Sequence, residues 1–349
     1  MPNLPKLGLT LAIACLGGLL AVWGSIPLPW MIGAMVATTV AAIAGAPLTM
    51  TLSLRSGMVA ILGVMLGSSF TPEMAAQIPL WSISLAWLLP YTALSGLVGY
   101  VYFRRFFGYD PATSYFSAMP GGLSEMILMG GHYGGDARVI SLTHAARILL
   151  VVMILPFGFQ AAIGYDSSAS ASPGPPLLSL APQDLALLAG AAVVGWPLAR
   201  LARLPAAPLI GPMVLSAVIH LGGLTSAAPP FELVAAAQVV IGAAIGVRFS
   251  NTSLRFVARA LLGAGGLSLL LLAVTFASAW LIGLVTGLPL EPLILAYAPG
   301  GLAEMSLIAL ALSLDAAFVA THHSIRILLI VVAAPEAYRL LTKWRRIAP

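Results

Sequence analysis

The chain has 349 residues, 60% of them hydrophobic and 8% charged, with a mean hydropathy of +1.01. Sixteen Lys and Arg with 11 Asp and Glu cannot cover a water-soluble globule, in which about a quarter of residues carry charge, but they suffice for the loops of a polytopic membrane protein. A soluble enzyme, a disordered chain and, with Cys15 the one cysteine, a disulfide framework or cysteine-based metal site are excluded. The net charge of +5 does not point to nucleic acid as a partner. The basic residues sit at the ends of apolar runs, as topology signals do, not in a stripe interleaved with aromatics.

A spanning helix takes about 20 apolar residues. The opening MPNLPKLGLT runs straight into the first apolar stretch without a small-residue cleavage site, which predicts a first span rather than a removed signal peptide. Spans are predicted over 7–23, 27–48, 54–70, 79–103 and 138–162. Segment 111–133 is apolar but broken at Pro120-Gly121-Gly122. The Ser/Pro/Gly-rich stretch 164–181 is the predicted linker. Further spans follow over 182–200, 205–224, 231–249, 258–286 and 316–337, and segment 291–312 is broken at Pro299-Gly300-Gly301.

The two breaks expose a duplication. A shift of 179 residues lays PGGLSEM (120–126) on PGGLAEM (299–305), Asp136 on Asp315, His144 on His323, Arg147 on Arg326 and Pro156 on Pro335. From 120 to 156, 16 of 37 pairs are identical, where so biased a composition gives ~4 by chance. The division is 1–163, the linker 164–181, and 182–349. Gly63-xxx-Gly67 falls on Gly242-xxx-Gly246, a spacing that permits close helix contact.

Apart from Arg147 and Arg326, no basic residue has a basic counterpart in the other half: Arg104 and Arg105 fall on Gly283 and Leu284, and Arg248 on Ser69. Complementary bias of this kind is expected of repeats inserted in opposite orientations. Opposite orientation requires an odd number of crossings per half. Five spans plus a broken segment that enters and leaves by one side meet the requirement, and so does any other odd arrangement. With the basic loops inside, both termini are cytoplasmic.

The expected chemistry gathers at the breaks. Gly-Gly after Pro does not continue a helix, and backbone opened at membrane depth is tolerated only beside protein or a wet cavity. A helix restarting near Leu123 puts Ser124 and Glu125 in a first turn, whose free N–H groups and positive dipole end suit an anion. Glu125 and Glu304 are acids within apolar segments, expected to bind or relay a cation such as H⁺ or Na⁺ or to cap their own breaks. Asp136, Thr143/His144 and Arg147, like Asp315, His322/His323 and Arg326, share one helix face. The arginines either pair with Glu125 and Glu304 or hold a substrate carboxylate or phosphate. The histidines suit proton transfer, and the aspartates suit helix caps. The candidate site is thus Pro120, Gly121, Gly122, Ser124, Glu125, His144 and Arg147 with Pro299, Gly300, Gly301, Glu304, His323 and Arg326. No residue set calls for a metal, a cofactor or a catalytic role.

The doubled PGGL-x-Glu-Met motif, each copy followed by Asp, His, Arg and an aliphatic run, resembles the bacterial AbrB duplication family of membrane proteins along essentially the whole chain. Its members also carry the labels ammonia monooxygenase and AbrB-family regulator, and are similar in plan to secondary transporters with inverted repeats. Five scattered histidines do not resemble a copper cluster, and no stretch outside the membrane is long enough for a DNA-binding module. The expectation is an all-α polytopic protein of the bacterial inner membrane with two inverted repeats, each of about five helices plus a broken or re-entrant segment. It would not be an enzyme but a secondary transporter of a small polar, anionic solute coupled to H⁺ or Na⁺. The alternative is a membrane solute sensor that affects gene expression indirectly. Its partners would be solute, cation and lipid, with no nucleic acid, and a homo-oligomer is compatible with this reading.

Overall fold

The computed structural model describes residues 3–75, 77–164 and 174–347. The first half holds helices α1 (Leu4–Trp23), α2 (Pro29–Ile43), α3 (Leu52–Gly67), α4 (Ser82–Tyr102), α5 (Pro111–Ala118), α6 (Leu123–His132) and α7 (Ala137–Ile163). The second holds α8 (Pro182–Leu201), α9 (Ala207–Leu221), α10 (Phe231–Gly246), α11 (Leu254–Thr286), α12 (Leu290–Tyr297), α13 (Leu302–Ala311) and α14 (Ala316–Ile347). Except for α4 and α11, the copies start within one residue of matching positions, and the backbone repeats with them. Left-handed Leu28 (φ 48°) and Ala206 (φ 47°) each precede a helix with proline in its first turn.

The protein is an α-helical, multi-pass membrane protein. Among the described residues seven helices are long and apolar enough to cross a membrane. The expected spans 27–48, 54–70 and 205–224 contain shorter helices, α2, α3 and α9, of 15, 16 and 15 residues. At 1.5 Å per residue these measure about 22–24 Å, less than the hydrocarbon core of about 30 Å. They lie at the centre, packed on other helices. Outer helices such as α1, α8 and α11 instead expose Leu19, Leu20, Val193, Leu262 and Trp280, which in a soluble protein would be an aggregation surface and here is a lipid face.

The centre is built on glycines. A Cβ at Gly63 or Gly67 of α3 would collide with the carbonyls of Leu209 or Met213 on α9, and one at Gly242 or Gly246 of α10 with the backbone of Met31 or the side chain of Thr38 on α2. Helix α3 therefore runs parallel to α9 and α10 parallel to α2, each packed on the other half. The copies α3 and α10 also pack on each other. Arg55, in the first turn of α3, and Arg248, just beyond the end of α10, line one cavity, so these two copies run in opposite directions.

Each broken segment forms two half-length helices. At the first, the chain turns back: Asp136 N–H, beyond the end of α6, donates to Thr113 Oγ1 at the start of α5 (2.8 Å), and Tyr133 stacks on Phe116. Helices α5 and α6 thus form a hairpin with its tip at Pro120-Gly121-Gly122, and helix restarts at Leu123. Asp136 caps α7, its Oδ1 accepting from the N–H groups of Arg138 and Val139, and Asp315 caps α14 by accepting from Phe318. Of the predicted linker, residues 165–173 lie outside the described residues. Beyond them a single turn, Leu177–Ser179, is tied to Glu232 by the Leu177 N–H.

The glycine contacts set a test in one helix. Gly63→Ala should cost about 1–3 kcal/mol of stability through overpacking. Gly57→Ala, which meets open space, should be neutral or slightly stabilising, as read from unfolding midpoints in detergent.

Candidate functional site

The chain passes through each break in extended conformation, from Met119 (ψ 130°) to Gly122 (ψ 135°) and from Ala298 (ψ 142°) to Gly301 (ψ 156°). Carbonyl groups at the end of one half-helix and N–H groups at the start of the next are left without helical partners. A buried arginine meets the carbonyls at each break. Arg147 Nη1 donates to Met119 O (3.3 Å) and Ala118 O (3.5 Å), and its Nη2 to His144 Nδ1 (2.9 Å). Arg326 Nη1 donates to Ala298 O (2.8 Å) and Tyr297 O (3.3 Å), and its Nη2 to Gly300 O (3.0 Å) and His323 Nδ1 (2.9 Å). The histidines finish the pattern: Nε2–H of His144 donates to Phe116 O (2.8 Å) and that of His323 to Leu295 O (2.9 Å). A guanidinium donor on Nδ1 and a carbonyl on Nε2 assign the neutral Nε2–H tautomer. Both ring nitrogens are committed, so the histidines position the arginines rather than standing free to carry protons.

The expected pairs Arg147–Glu125 and Arg326–Glu304 do not form. Among the described residues the ion pair seen is Arg339–Glu336, on the surface of α14 (2.7 Å). The reason is local. The breaks supply enough carbonyl oxygen to solvate the guanidinium groups, while each carboxylate folds back over its own helix start. A Cβ on Gly122 would collide with Glu125 Oε2, and one on Gly301 with Glu304 Oε2. Glycine is required here by close approach. Glu125 Oε1 also accepts from the N–H of Ala206 in the other half (3.3 Å).

Both breaks open into one cavity of about 440 Å³. Its charged lining is Glu125, Glu304 and four arginines, Arg55, Arg147, Arg248 and Arg326. Pro120, Gly121, Gly122, Ser124, Gly300 and Gly301 line it too, whereas Pro299, His144 and His323 stand behind the lining. Arg147 and Arg326 are 2% and 1% exposed, and the Nε of each has no hydrogen-bond partner. Among the described residues no three His, Cys, Asp or Glu side chains are grouped to hold a metal.

The halves are not alike around this cavity. Ser124 is exposed and Glu125 half-buried, whereas Glu304 is buried. Helix α13 packs on α3 and α7 of the first half, and α6 makes no comparable packing on α10 or α14. A hydrogen-bonded network steadies the second break. Tyr91 Oη donates to Tyr297 O and lies 3.0 Å from Thr275 Oγ1; Tyr297 Oη donates to Ser84 O (2.8 Å); Ser84 Oγ lies 2.9 Å from His322 Nε2. The copies of Tyr91, Tyr297, Ser84 and His322 are Leu270, Ala118, Gly263 and Thr143.

Sequence reasoning missed Arg55 and Arg248 as site residues because a charge at a helix end reads as a topology signal. It also passed over Gln238 on α10, which lies outside the cavity lining. This side chain is fully buried with both amide atoms unpartnered. Its signal was a lone amide in the apolar run AAAQVVIGAA.

Duplicated half-helix pairs, a shared charged cavity and a lipid-facing exterior define a polytopic membrane protein with a polar site at its centre. The family model described as "Transition state regulatory protein AbrB" matches residues 30–342, and the chain belongs to this family. A relative in Bacillus subtilis (strain 168), the uncharacterized protein YhjN, is 31% identical over 95% of this chain and 92% of its own length. One in Escherichia coli (strain K12), named as a regulator, AbrB, is 27% identical over 94% and 93%.

The histidine role sets a second test. His323→Ala should strand the Leu295 carbonyl and remove an acceptor from Arg326, at a cost of about 1–3 kcal/mol. His132→Ala, at an exposed position, should stay within about 0.5 kcal/mol. Comparison of the two unfolding midpoints decides between them.

Proposed function

We propose that this protein is a secondary active transporter of a small anionic solute, coupled to H⁺ or Na⁺ and working by alternating access in the bacterial inner membrane, with both termini cytoplasmic. The observation that carries the reading is the central cavity, where two helix breaks, two helix N-termini, two carboxylates and four arginines from both repeats converge. Anion binding at such ends uses the free N–H groups and the positive end of the helix dipole, and transporters of inverted-repeat design place their sites on half-helices at the repeat interface. The lining binds and balances charge without a nucleophile set against a base, which is why we read a carrier and not an enzyme.

The inequality of the repeats supports alternating access. In inverted repeats, exchange of conformation between the halves closes the cavity on one side and opens it on the other. In that exchange Gln238 takes the place that its copy Val59 has in the cavity wall. A buried amide without partners costs about 1–3 kcal/mol, and wetting in the other conformation explains its presence. Arg55 and Arg248 lie on the side where the basic loops gather, so the cavity in this structure faces the cytoplasm in the proposed topology.

The coupling cation is assigned to Glu125 and Glu304. A second reading, a membrane sensor that acts on gene expression through a partner, has in its favour the regulator name of the E. coli relative. A stoichiometric partner retained through purification would support it.

The test is a thermal-shift screen of the purified chain in detergent over small carboxylates, phosphates, sulfonates and amines, with Na⁺ and pH steps, followed by uptake into proteoliposomes. Anions should raise the midpoint, and amines should not. Glu125→Gln should fold, keep solute exchange and lose accumulation driven by the cation gradient. Undiminished gradient-driven uptake in that variant would remove Glu125 from the coupling site, and no shift from any anion would reject the transporter reading.

A further inference from the structure

The cavity holds the same anion-binding apparatus twice. At the first break, Arg147 stands behind the N-terminus of α6, held by His144; at the second, Arg326 stands behind the N-terminus of α13, held by His323. In each case the Nη atoms are spent on carbonyls and histidine while the Nε is buried and unpartnered. Neither guanidinium has a carboxylate within ion-pairing distance, so two buried positive charges lack a counter-charge of their own, a costly state that an anion from outside would relieve. Over the whole lining, four arginines stand against two glutamates, leaving two positive charges when all are ionised. The half-sites are near each other: a Cβ on Gly121, at the first hairpin tip, would lie 2.9 Å from Ile330 Cγ2, one turn beyond Arg326 on α14.

We infer that the solute is a small organic dianion with an acidic group at each end, of the dicarboxylate class, one end held at the Arg147 half-site and the other at the Arg326 half-site. This rests on the transporter reading above and narrows its substrate. One acidic group would leave one half-site uncompensated. A carboxylate at each end gives each helix start an anion, sets a counter-charge beside each buried guanidinium, and cancels the two excess charges. Arg55 and Arg248, one at the start of α3 and the other beyond the end of α10, draw the dianion in from the basic side.

The experiment compares succinate with butyrate, which has the same four-carbon chain and one acidic group, on the full chain in detergent by titration of the unfolding midpoint. Succinate should bind at least about tenfold more tightly, since a second charge-assisted contact is worth about one decade. Arg147→Gln and Arg326→Gln should each bring succinate down to the affinity of butyrate and leave butyrate within about twofold. Should either variant fail to fold, the wild-type comparison decides alone. Butyrate as tight as succinate would overturn the two-ended site while leaving an anion transporter standing. A cooperative unfolding transition that neither acid moves, with other anions in the screen also silent, would remove the anion-binding reading itself.

Discussion

A guanidinium group buried in an apolar helix needs solvation from the protein, and the rest of this structure follows from how that need is met. A regular helix offers little help, because each of its carbonyls already accepts one backbone bond. A helix broken at Pro-Gly-Gly offers more, because it releases carbonyls at the depth where the arginine sits. Arg147 and Arg326 are held by those carbonyls and by a histidine three residues earlier on the same face. Break, histidine and arginine are thus one unit. The oxygen that solvates the charge is neutral, so the unit is electrically unfinished, and the proposed anion would complete it.

The duplication brings two such units together. Glycines on α3 and α10 let each half thread its central helices against the other, so that both breaks reach one cavity. Near-identical motifs then sit in unequal surroundings. The second broken segment is buried and clamped through Tyr91 and Tyr297, while the first presents Ser124 and Glu125 to the opening. A symmetric sequence in an asymmetric conformation is what a carrier with two interchangeable states requires. The α5–α6 hairpin is held by Tyr115 Oη, which donates to Ala334 O of α14 (3.0 Å), and by the packing of Tyr115, Phe116 and Tyr133 on Tyr338.

The features that repeat were legible in the sequence. The two breaks, the helix restart at Leu123 and the caps at Asp136 and Asp315 followed from local residue types, and their recurrence exposed the duplication. The features that break the repeat were not. Arg55 has Val234 as its copy, Arg248 has Ser69, Gln238 has Val59 and Tyr91 has Leu270, so comparison of the halves passed over them. The Arg–Glu pairs failed for a different reason. Sequence shows charges, and it does not show the backbone oxygens that a break places within reach of a guanidinium.

The central claim is that one cavity opens to alternate faces of the membrane by exchange of conformation between the halves. The most direct measurement uses single cysteines at the copied positions Val59 and Gln238, with Cys15→Ser to clear the native thiol, and a membrane-impermeant maleimide applied from either side. The account predicts that Val59→Cys is labelled from one face and Gln238→Cys from the other, with solute changing the two rates in opposite directions. Labelling of both from the same face, or a Gln238→Cys that never reacts while solute is being carried, would contradict it.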